Sequence, residues 1–155
     1  MSNYRRFYVD GGCYFFTVAI ANRKSNLLTD NIEYLRKAFR EVMQAHPFKI
    51  DAIVILPDHL HCVLTLPPND SNYSMRWRQI KSKFSYQLPP TEQRSLNQYK
   101  RGERGIWQRR FWEHTIRNEQ DYIQHIDYTH YNPVKHGYVT YPKDWKYSSF
   151  HIYNW

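Results

Sequence analysis

Cysteine is scarce. Cys13 and Cys62 are the two in 155 residues, and they match no zinc or redox spacing, which excludes a disulfide framework and reads as buried thiols in a reducing compartment. No apolar run approaches the ~18 residues of a membrane span, and Met1-Ser2-Asn3-Tyr4-Arg5-Arg6 lacks the apolar core of a signal peptide. A cytoplasmic protein with no membrane partner is expected. Acidic residues are in deficit, 14 against 22 Lys and Arg, for a formal charge of +8; polyanions are the natural partners. Internal repeats and low-complexity tracts are absent, and the length suits one domain over 1–155.

Aromatic residues are abundant, 17% of the chain with 14 Tyr and 5 Trp. Exposed rings among basic side chains suit single-stranded nucleic acid, where cations track phosphates and bases stack. Residues 1–12 read as a basic arm feeding a strand over 13–20. Ile32, Leu35, Phe39 and Val42, at spacings of three and four, predict a helix to about Ala45, stopped by His46-Pro47. Strands over 48–56 and 59–66 join through Pro57-Asp58 as a hairpin. A second helix over 73–86 carries Arg76, Arg78, Lys81 and Lys83 with no acid in its span, which favours phosphate contact. Residues 89–105 form a polar loop and 111–117 a fourth strand. Asn118 caps a third helix that ends near Tyr131 at Asn132-Pro133, and 137–155 is a tail with a short helix folded onto the sheet. The order β-α-β-β-α-β predicts an α+β fold of ferredoxin-like split β-α-β type, a four-stranded antiparallel sheet with helices on one face.

Chemistry concentrates at His59-Leu60-His61. Alternation along a strand puts both imidazoles on one face, about 7 Å apart at a rise of ~3.3 Å per residue, where they can converge on one metal ion. Asp58 can orient a histidine from behind, or simply serve the turn. On the third helix Tyr128 and Asn132 are four apart and share a face if the helix reaches residue 132. A phenol can attack phosphorus and become joined to DNA, and an amide oxygen can complete a site with His59 and His61. Tyr122 and Tyr131 lie on or near the same helix. A tyrosine of ordinary pKa about 10 needs activation, by the cation or by His125 or Asp127.

Taken together, these segments resemble the REP-associated tyrosine transposases, single-tyrosine members of the HUH nucleases. The resemblance rests on Leu56-Pro57-Asp58-His59-Leu60-His61, on His125-Ile126-Asp127-Tyr128 with Asn132-Pro133-Val134-Lys135-His136-Gly137, and on Trp107-Gln108-Arg109-Arg110-Phe111-Trp112-Glu113-His114. It implies a nuclease that binds single-stranded DNA folded into a repetitive extragenic palindrome (REP) hairpin. Such a nuclease cuts through a 5′-phosphotyrosine and rejoins the ends, using Mg²⁺ or Mn²⁺, as a monomer. It further implies that Asn3, Arg5 and Arg6 read a tetranucleotide at the hairpin foot, while the second helix and the Lys100 to Arg110 segment, with Arg104, Arg109 and Arg110, grip the stem. Asn132 stands where insertion-sequence relatives place a longer Gln. Two other readings compete: a non-catalytic module binding an RNA or DNA hairpin, and a metal-dependent hydrolase using activated water.

Overall fold

A computed structural model describes residues 6–90, 96 and 104–151; Asn3, Arg5 and most of the 89–105 segment lie outside them. Four strands, β1 (Cys13–Ala19), β2 (Lys49–Ile55), β3 (His59–Thr65) and β4 (Trp112–Thr115), make one antiparallel sheet in the order β2-β3-β1-β4. The central pair β1 and β3 is in register from Cys13 opposite Thr65 to Ala19 opposite His59. After β1 come a single turn, α1 (Leu27–Asp30), and α2 (Ile32–Ala45); α3 (Tyr73–Tyr86) follows β3, and α4 (Glu119–Lys135) follows β4. The ferredoxin-like α+β class is therefore correct. Among the described residues, no helix is long and apolar enough to cross a membrane.

One expectation fails: the helices cover both faces. Tyr14, Phe16, Val18, Leu60, Cys62 and Leu64 point to one side and pack with Leu35, Phe39, Val42, Trp77, Ile80 and Phe84 of α2 and α3. On the other side Phe15, Ala52 and Val63 pack against Tyr122 and Ile126 of α4. Burial on both faces suits the continuous apolar runs of β2 and β3, since a strand with one wet face would alternate. Trp77 is 1% exposed and packs edge-on against Phe16 and Phe39; cutting it to alanine would cost ~3–5 kcal/mol.

The third helix also runs further than its proline implies. Asn118 caps it, accepting from the Asp121 amide at 2.8 Å, but Pro133 sits inside and the helix continues to Lys135. Its end is closed by paired bonds, Gly137 N–H to Val134 C=O and Tyr138 N–H to Pro133 C=O, both 2.9 Å, with Gly137 at φ +79°. Glycine reaches that left-handed conformation without a Cβ penalty. Burial of Thr129, Asn132 and Pro133 against the sheet outweighs the local cost of a proline in the last turn.

The described part of the tail, to residue 151, forms two short 3₁₀ turns, Pro142–Asp144 and Ser149–His151, in place of the expected short helix. It lies along the outer edge of β2. Ile55 N–H donates to Tyr147 C=O at 2.9 Å, Ile53 N–H to Ser149 Oγ at 2.8 Å, and Trp145 Nε1 to Ile55 C=O at 2.9 Å.

Candidate active site

Strand alternation sends His59 and His61 to the α4 face and Leu60 to the α2 and α3 core. Both imidazoles are 5% exposed, and their ring centroids are 4.9 Å apart. Burial pushes the His61 pKa down to about 3, helped by the neighbouring His59 and His136. Burial also lowers His59, against the pull of Asp58. Both rings are thus neutral at pH 7, the form that ligates metals. Asp58 Oδ1 lies 2.9 Å from His59 Nδ1, and Arg23 Nη2 lies 3.3 Å from the same nitrogen; a carboxylate only accepts, and with the shorter contact prevailing Nδ1 holds the proton and Nε2 keeps its lone pair. Thr17 Oγ1 meets His61 Nδ1 at 2.8 Å, and with the hydroxyl accepting, Nε2 of that ring is free in the same way. Burial works against the charge on Asp58, but the Arg23 and His59 bonds prevail and hold its carboxyl below the usual range. The Arg23 Nε bond is 2.5 Å.

The helix brings the phenol to this face. Tyr128 is 39% exposed; its ring is 5.5 Å from that of His61 and 5.7 Å from Phe15, which stacks on His61 at 5.6 Å. Lys135 places its ammonium 5.0 Å from the Tyr128 ring centroid, and His136 lies 5.4 Å from His59, ring to ring. Asn132 stands one turn from Tyr128 and one from His136. It is fully buried, and neither Oδ1 nor Nδ2 has a hydrogen-bond partner among the described residues. A buried amide left unpaired costs roughly 1–3 kcal/mol. Two neutral imidazoles and an orphaned amide on one face are a donor set that fits a divalent cation.

The sequence of the chain settles the family. The family described as "Transposase IS200 like" matches residues 10–131. An Escherichia coli REP-associated tyrosine transposase is 48% identical over 151 residues, covering 97% of this chain and 84% of that protein. The chain belongs to the REP-associated tyrosine transposases. A Haemophilus influenzae protein provisionally given that name is 51% identical over 152 residues, 97% of this chain and 86% of its own length. The solved structure of such a transposase bound to a REP hairpin superposes with a TM-score of 0.84 at 47% identity, over 98% of this chain and 84% of that one. Among the described tyrosines, Tyr128 has its ring against that of His61. Tyr122 donates its hydroxyl to Asp51 at 2.8 Å, and Tyr131 is exposed.

The basic residues divide. Arg76 leaves the DNA-contact group, because it is 2% exposed; its guanidinium takes both Asp70 oxygens at 2.8 and 3.0 Å and the carbonyls of His46, Pro47 and Asn72. Arg6 packs 3.9 Å over the Phe111 ring and pairs with the buried Glu113, so it anchors the arm. Burial raises the Glu113 pKa to about 7. Lys83 reaches Glu41 at 3.6 Å. Arg104 bonds to the carbonyls of Ser85, Leu88 and Pro89, and Lys81 to that of Gln108 at 3.0 Å. Arg78, Arg109 and Arg110 are exposed. Between α3 and residues 104–111 lies a cleft of about 760 Å³ lined by Arg78, Lys81, Arg104, Arg109, Trp107 and Phe111.

Sequence pattern alone gives Thr17, Arg23, Lys135 and His136 no role, yet all four lie against the site. For Thr17 none could be read, since its meeting with His61 depends on strand pairing across 44 positions.

Proposed function

We propose that the chain binds single-stranded DNA bearing a REP hairpin and cuts and rejoins it through a Tyr128 phosphotyrosine, with Mg²⁺ or Mn²⁺ held by His59, His61 and Asn132. The observation that carries this is the Tyr128 ring 5.5 Å from His61, on the face where Asn132 lacks a partner among the described residues. Transposases of this family typically work with a divalent metal. A cation bound there would polarise the scissile phosphate and offset its developing charge. The Tyr128 oxygen attacks phosphorus and gives up its proton. The P–O3′ bond breaks, and the departing oxygen takes up a proton as a free 3′-hydroxyl. The 5′-phosphate stays on the tyrosine, and attack by another 3′-hydroxyl reverses the step. The Lys135 ammonium beside the ring adds positive charge where the phosphate must arrive. The basic cleft between α3 and residues 104–111 is suited to the hairpin stem. Asn3 and Arg5 remain contacts for the hairpin foot. The protein acts as a cytoplasmic monomer of one domain.

Incubation with Mn²⁺ and a labelled single-stranded hairpin, followed by denaturing electrophoresis, should give an adduct that maps to Tyr128. Tyr128→Phe should lower cleavage by roughly three orders of magnitude or more while hairpin binding persists. Cutting without any adduct would mean a water-using hydrolase, and unchanged behaviour of the variant a binding module. A duplex cut as readily as the single strand would also overturn the reading.

A further inference from the structure

The α4 face carries a second group of metal-ligating side chains, beyond Phe15 from the histidine pair. We propose that His114, Asp121 and His125 bind a zinc-class divalent ion that fastens the first turns of α4 to the edge strand β4, separately from any ion at His59 and His61. One ligand atom from each of the three lies within 4.8 Å of the others. His114 Nε2 is 2.9 Å from Asp121 Oδ2, and His125 Nδ1 is 3.0 Å from Asp121 Oδ1 and 2.8 Å from the Asp121 carbonyl oxygen, a hydrogen bond that the ion would displace. The convergence is set by two elements. His114 sits opposite Phe15 on β4, facing α4, while Asp121 and His125 are four apart on the helix.

The chemistry differs from that of the other site. His59, His61 and Asn132 are neutral ligands, and Asp58 behind them is neutralised by Arg23. Here a carboxylate joins two imidazoles, the three-ligand set that zinc takes with a water in fourth place. Burial opposes charge on Asp121, but the Arg117 amide and the His114 ring outweigh it, so the group is an anion at neutral pH. All three side chains are partly exposed, which leaves an approach for the ion. The ion would also stiffen the support of the nucleophile. His125 is one turn before Tyr128, and its ring is 5.0 Å from Phe15, which touches both Tyr128 and His61.

The test uses the whole chain with ¹⁵N-labelled histidine, titrated with zinc chloride and followed by long-range imidazole spectra. The His114 Nε2 and His125 Nδ1 resonances should move to metal-bound positions. In the His59→Ala, His61→Ala protein, one equivalent should still bind and raise the unfolding midpoint by several degrees, because the ion favours the native state alone. His114→Gln with His125→Gln should abolish that rise. If zinc moves only His59 and His61, or leaves all four rings unmoved at millimolar concentration, the trio is a hydrogen-bonded clasp and the proposal falls. The spectra of the unsubstituted chain decide the matter even where a variant fails to fold.

Discussion

Arg76 is an instance of charge turned inward. On a helix without acids a guanidinium reads as a phosphate contact, yet this one closes the junction between the end of α2, the loop at Asp70 and the start of α3. Arg76→Ala would leave a carboxylate and three carbonyls short of donors and should cost ~3–5 kcal/mol in urea unfolding. The Arg76 bonds hold the Asp70 carboxyl down to about 2. A depressed carboxylate contributes stability above its unfolded pKa and loses it as pH falls through the folded one. Stability should therefore drop between pH about 4 and about 2. Asp70→Asn should flatten that acid limb and cost about 1 kcal/mol at neutral pH, reduced by partial exposure of the side chain. Unchanged acid unfolding in the variant would refute the linkage. The histidines were legible because a period of two needs no partner to be read, whereas the burial of Arg76 depends in part on the His46 and Pro47 carbonyls, remote in sequence.

Among the elements, the strands, α2 and α3 were readable within a residue or two from apolar spacing and stop signals. The end of α4 was not. The rule that a proline disfavours helix in the residue before it is local, and here it yields to burial of Asn132 and to the Gly137 closure. That closure carries the site, since Asn132 shares a face with Tyr128 only on an unbroken helix. Gly137→Ala should cost about 1 kcal/mol, through the left-handed backbone and not through crowding, as nothing lies within 4 Å of the added carbon. Asn at the same position, which tolerates that conformation better, should restore part of the loss in thermal unfolding. Equal stability of all three would show the turn to be indifferent to residue type. The placement of α4 on the far face had a signal in Cys62-Val63-Leu64, apolar on successive positions, which one-sided burial cannot explain.

Across the whole molecule the net charge of +8 predicts salt-sensitive binding. Arg78→Ala should weaken hairpin affinity and reduce the slope of log K against log salt by roughly 0.7–0.9, the share of one phosphate contact. The folded fraction of Arg76→Ala should keep the parent slope. Equal slopes for Arg78→Ala and the parent would remove the α3 cleft from the binding surface. The strap over β2 has a different consequence. Ile53 and Ile55 have their amide hydrogens plugged by Ser149 and Tyr147, so β2, one of the sheet's two edge strands, is closed to pairing with a second copy. Clipping the chain just after Gly137 would unplug them, and light scattering should then rise with time as copies zip together where intact ones stay dispersed.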